Sequence, residues 1–71
     1  MSSFTELRES CNMRQEDVAI KLGIDRSTVS KWEVGKATPR GAILIKLPEL
    51  YNCTPDEIMA AISAAKQQSV S

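Results

Sequence analysis

Among its 71 residues the chain has no histidine, the side chain that most often carries protons or binds zinc near neutral pH. Its cysteines number two, Cys11 and Cys53, and neither has a basic neighbour in sequence to lower its pKa and make it a nucleophile. A zinc site built on them would need carboxylates at no recognisable spacing. A disulfide would require the first and last helices to meet; for a cytoplasmic protein the expectation is instead two buried free thiols. No glycine-rich phosphate loop is present. Together these absences argue against an enzyme and leave no cofactor, metal or small-molecule ligand in view. No apolar run approaches the length of a membrane span. The first residues lack the basic stretch and long apolar segment of a signal peptide, so a cytoplasmic location is expected. The formal net charge is zero and does not by itself advertise a nucleic-acid partner.

What is present points to a folded, mostly helical chain. The apolar content is 42%, with three glycines and three prolines. The length suits one small domain, near the size at which a core is only just sufficient. The stretch from Gln15 to Val34 reads as two short helices joined by a tight turn. Val18, Ala19 and Leu22 recur at helical intervals and make one apolar face. Gly23 can end that helix in the left-handed region. Asp25 is a good N-cap for a second helix, and Ile24 with Val29 can form a hydrophobic staple across it. Val29 and Trp32, one turn apart, face inward, which makes Trp32 a core residue rather than a stacking platform. Arg26, Ser27, Ser30, Lys31 and Val34 are left on the outer side. Ala19 falls where the two helices come closest, so a small side chain is needed there.

The rest of the chain reads as packing around this pair. Ser3 can cap a first helix, with Glu6 completing a capping box, and Phe4, Leu7 and Cys11 form its apolar stripe. Asn12 is a left-handed stop, and Met13 is the staple residue ahead of the second helix. Arg14 stands where a Ser or Thr cap would be favoured, so a side-chain cap is expected to be missing and the guanidinium to serve a phosphate instead. Gly35 to Pro39 is a loop by composition. A fourth apolar segment runs from Ala42 to Tyr51, with Ile43, Leu44, Leu47 and Leu50 on one face. Pro48 inside it predicts a kink or a restart. Asn52 suits a helix end, and Thr54-Pro55-Asp56-Glu57 is a strong helix start. The last helix turns Ile58, Ala61 and Ile62 inward, with Met59 near the boundary. The expectation is a domain over residues 1–65 and a polar tail over 66–71 that frays. Five helices and no strand make the predicted fold all-α. From Arg14 to Arg40 there are six basic and four acidic residues, enough for a locally basic face.

The run Arg14-Gln15-Glu16-Asp17-Val18-Ala19-Ile20-Lys21-Leu22-Gly23-Ile24-Asp25-Arg26-Ser27-Thr28-Val29-Ser30-Lys31-Trp32-Glu33 resembles the phage repressor and Cro (XRE-type) helix-turn-helix family. Gly35-Lys36-Ala37-Thr38-Pro39 and Thr54-Pro55-Asp56-Glu57-Ile58-Met59 continue the likeness, which covers roughly residues 4 to 62. The resemblance implies a compact five-helix, lambda-repressor-like domain with its helix-turn-helix at about 15–34. It further implies a DNA-binding transcriptional regulator, usually a homodimer on a near-palindromic double-stranded operator. The reading helix would lie at about Arg26 to Glu33 in the major groove. Base contacts would fall on Arg26, Ser27 and Lys31, with Thr28 a further candidate. Gln15 would hold backbone phosphate and brace the reading helix. Lys36, Thr38 and Arg40 would follow the phosphate backbone, with Arg14 and Ser30 as added phosphate candidates. Arg8 and Glu33 would form an inward-facing ion pair tying the first helix to the reading helix.

Three residues depart from that family's pattern. Val34 replaces a residue that is usually polar and can touch phosphate, Arg14 replaces the usual cap, and Pro48 interrupts the fourth helix. Two other readings stay open on the sequence. The fold can serve protein contacts, as in a coactivator or an antitoxin with a partner chain. The chain can also be the DNA-binding fragment of a longer repressor, although a self-contained Cro-like protein fits the length better.

Overall fold

The computed structural model describes residues 3–69 and holds five helices: α1 (Phe4–Ser10), α2 (Gln15–Leu22), α3 (Arg26–Val34), α4 (Gly41–Leu50) and α5 (Pro55–Ser69). There is no strand among the described residues. Helix α5 is the support against which α1, α3 and α4 pack, while α2 packs on α3. The C-terminal helix therefore holds α3 from behind, and α3 in turn carries α2.

The core follows the predicted stripes. Phe4 and Leu7 from α1, Val18 and Ala19 from α2, and Val29 and Trp32 from α3 are all buried. They meet Leu47 of α4, Tyr51, and Ile58, Ala61 and Ile62 of α5, all likewise buried. The chain's one phenylalanine, one tryptophan and one tyrosine come together here. Phe4 stands 6.4 Å from the rings of both Trp32 and Tyr51, tilted at 43° and 47°. That spacing lies within the range in which aromatic rings attract one another beyond simple burial. Met59, by contrast, is exposed.

Most helix ends form as their residues demand. Ser3 Oγ accepts from the Glu6 amide at 3.1 Å. Gly23 takes the left-handed conformation (φ 68°), which lets the Ile24 amide donate back to the Ala19 carbonyl at 3.0 Å and turns the chain sharply into α3. Asn12 and Asn52 also sit at positive φ, as side chains that tolerate that region do. Thr54 and Glu57 form a reciprocal box, each donating to the other's side chain at 3.2 Å through the backbone amide.

Three expectations need correction. Asp25 occupies the N-cap of α3 but makes no side-chain cap hydrogen bond, so its carboxylate acts on that helix only through its charge. Of the kink or restart expected at Pro48, the restart does not occur. Helix α4 begins at Gly41 and runs unbroken through the proline to Leu50. Pro48 lies in the last turn, and the buried Leu47 and Tyr51 on either side anchor the helix to the core. Beyond it the Cys53 amide donates to the Pro48 carbonyl at 2.9 Å, closing the helix end. Cys11 and Cys53 are free thiols but only half-buried, because each stands at a helix boundary near the surface. The Cys11 thiol donates to the Tyr51 carbonyl at 3.2 Å, and burial pushes the Cys53 thiol pKa up. Helix α5 itself extends through the polar segment from Lys66 as far as Ser69, and residues 70–71 lie outside the described residues.

Candidate nucleic-acid interface

The site is built on a single carboxylate. Glu33, near the C-terminal end of α3, receives donors from two other helices. Arg8 of α1 donates through Nε to Oε2 at 2.7 Å and through Nη2 to Oε1 at 3.2 Å. Thr5 of α1 donates its hydroxyl to Oε1 at 2.9 Å, and Gln15 at the start of α2 donates its amide to the same oxygen at 3.0 Å. Arg8 also donates to the Met13 carbonyl at 3.0 Å, which fixes the turn between α1 and α2. The ion pair is largely withdrawn from water, with side-chain exposures of 13% for Arg8 and 6% for Glu33.

The electrostatics follow from that geometry. Burial alone would raise the Glu33 pKa, but the hydrogen bonds from Arg8, Gln15 and Thr5, together with the Arg8 charge, outweigh it. The carboxyl therefore sits below its ordinary value and stays ionised. On the other side, the hydrogen bond to Glu33 raises the Arg8 pKa despite desolvation. The expected ion pair is thus present, and the expected bracing of α3 by Gln15 is present with it. Thr5 is a member of the cluster that the sequence did not single out. A hydroxyl reaching a carboxylate on another helix carries no spacing signal.

In front of this cluster lies a shallow depression of about 290 Å³ between the start of α2 and the outer side of α3. Gln15, Arg26, Ser27, Ser30, Lys31 and Lys36 line it, all six of them expected contacts. Arg26, Ser27, Lys31 and Lys36 are exposed. No hydrogen bond or ion pair among the described residues engages the side chains of Arg26, Lys31 or Lys36. Helix α3 turns Val29 and Trp32 into the core, which obliges residues on the opposite arc to face outward. Val34, not among the expected contacts, lines the same depression.

The other sequence candidates lie outside it. Thr28 is half-buried, on the flank of α3 rather than its front. Arg14 is exposed at the N-cap of α2, and its guanidinium, with no acceptor atoms, cannot cap the helix. The helix start is secured from within instead, by Asp17 accepting from the Arg14 backbone amide at 2.8 Å. Arg14 Nε lies 3.7 Å from that carboxylate. In the loop after α3, Thr38 is half-buried and Arg40 exposed at the N-cap of α4, with the buried Pro39 between them pinning the loop to the body.

A second depression, of about 310 Å³, lies between α4 and α5 and is apolar. It is lined by Leu44, Ile45, Pro48, Pro55, Ile58 and Met59. Ile45 is 79% exposed and Met59 57%. No helix among the described residues is long and apolar enough to cross a membrane.

Comparison with known proteins agrees with this architecture. A family model described as helix-turn-helix matches residues 5–58. The HTH-type transcriptional activator BcrR of Enterococcus faecalis is 34% identical over 55 residues, covering 78% of this chain. The match takes in 27% of that relative, so the chain spans little more than a quarter of its length. No solved structure matches.

Proposed function

The chain belongs to the phage repressor/Cro-type helix-turn-helix family, and from that membership we propose that it is a sequence-specific transcriptional regulator whose helix α3 enters the major groove of double-stranded DNA. The observation that supports this best is the gathering of unpaired cations and hydroxyls in one depression across α2 and α3. In this reading Arg26 and Lys31 donate to guanine O6 and N7, and Ser27 serves a neighbouring base, with Thr28 at the edge of the reading set. Gln15, already held by Glu33, has a second amide hydrogen to give a phosphate. The start of α2 adds its free backbone amides to the same anion site. Lys36, Ser30, Thr38, Arg40 and Arg14 complete the phosphate contacts and carry orientation rather than sequence information.

The protein binds as a two-fold dimer on a near-palindromic operator, with half-sites about 34 Å apart, one helical turn of DNA. The test is a selection from a random duplex pool, with sequencing of the retained fraction. An enriched motif with two inverted halves is expected. A motif with no inverted repeat would remove the dimer, and a pool without enrichment would remove the DNA-reading function. A second reading, a protein-contact module, draws on the apolar depression flanked by Ile45 and Met59. The unenriched pool is the outcome that would favour it.

A further inference from the structure

Val34 is the one apolar residue in the depression that Gln15, Arg26 and Lys31 line. It is 46% exposed and is absent from both the buried core and the apolar residues packed against that core. It ends α3, one turn beyond Ser30 and Lys31, immediately before the left-handed Gly35. Single exposed apolar residues are common on protein surfaces, as Ile20 is here; what sets Val34 apart is its place, the one apolar side chain among the cations and hydroxyls of the candidate DNA face.

We propose that Val34 is an apolar contact to DNA, packing its two methyl groups on carbon–hydrogen surface of the duplex at the rim of the reading face. The inference rests on α3 being the DNA-reading helix. Duplex DNA presents such surface in two places, the thymine C5-methyl in the major groove and the deoxyribose edge that borders it. An uncharged contact of this kind releases no counterions. Its contribution to affinity is therefore the same at low and high salt, unlike that of the neighbouring lysines.

The experiment compares wild type with Val34→Ala on the selected operator across a salt series. Each thymine of that operator is also replaced in turn by deoxyuridine, which lacks only the methyl group. Alanine is well tolerated at a helix end and Val34 supports no core contact, so the variant should keep its melting temperature. Removing two buried methyl groups should weaken binding roughly tenfold per bound copy, with the slope of log affinity against log salt unchanged. If one deoxyuridine weakens wild type but not Val34→Ala, the partner is that thymine methyl. If the loss is uniform over all deoxyuridine positions, the partner is deoxyribose. Wild-type affinity in Val34→Ala, or a loss confined to low salt, would overturn the proposal while leaving α3 as the reading helix. If the random pool yields no operator, it is the parent reading that has failed.

Discussion

Glu33 shows how one residue can set the angle of a helix, here α3. Three side chains, Thr5 and Arg8 on α1 and Gln15 on α2, converge on its two oxygens, so α3 cannot roll without breaking several bonds at once. Replacing it by glutamine keeps the size but leaves Arg8 withdrawn from water without a counter-charge. A loss of about 3 kcal/mol is expected, the scale for breaking a buried pair from one side. The loss should also depend on pH. Glu33 binds its proton less readily in the folded chain than in the unfolded one. Its contribution is thus complete above the ordinary glutamate range and disappears as pH falls through the lowered native value. Urea midpoints of wild type and Glu33→Gln should therefore differ most near neutral pH and converge only once the pH has fallen below the lowered native value. A gap that stays constant down to acid would count against the ion pair as its source. The pair itself was legible through resemblance, since Arg8 and Glu33 stand at matching positions. The half-burial of Cys11 and Cys53 was not, because exposure at a helix boundary depends on how neighbouring elements close over it.

At the scale of elements, the ends of the helices were more legible than their interiors. Asn12, Gly23, Asn52 and Thr54-Pro55 mark real boundaries because each changes the local backbone energy whatever surrounds it. The restart that Pro48 suggested does not occur because the proline's cost falls on one turn, and whether the helix survives depends on the core contacts of Leu47 and Tyr51. Asp25 misled in a subtler way: the residue type and position suit a cap, yet the carboxylate does not bond the helix amides. The two N-caps therefore offer a direct comparison. Thr54→Ala should cost about 1 kcal/mol, because it removes one half of a formed box. Asp25→Ala should cost only about 0.3 kcal/mol, the residual interaction of a charge with the helix dipole. Thermal denaturation of the two variants checks the order. Equal losses would mean that Asp25 caps α3 in solution after all.

For the whole molecule, the balanced charge conceals an uneven distribution. The nine basic and nine acidic residues cancel in the sum. Yet Glu33 is spent on Arg8 and Asp17 on securing α2, while Arg26, Lys31 and Lys36 stand unpaired around one depression. A net charge of zero is thus compatible with a face that attracts phosphate, and composition alone could not have shown it. Under the proposed function, salt separates the cations that read bases from those that hold backbone. Lys36, in the loop beyond α3, is expected to be a backbone contact. Lys36→Ala should weaken every operator variant by the same factor and reduce the salt slope by about 1. Lys31, in the middle of α3, is expected to be a reader. Lys31→Ala should cost roughly 1–3 kcal/mol on the preferred operator and relax preference at a single position. The same panel of operator variants, titrated at several salt concentrations with each protein, separates the two roles. A shifted base preference in Lys36→Ala, or an even loss across all operators in Lys31→Ala, would exchange the assignments and turn the reading surface toward the loop.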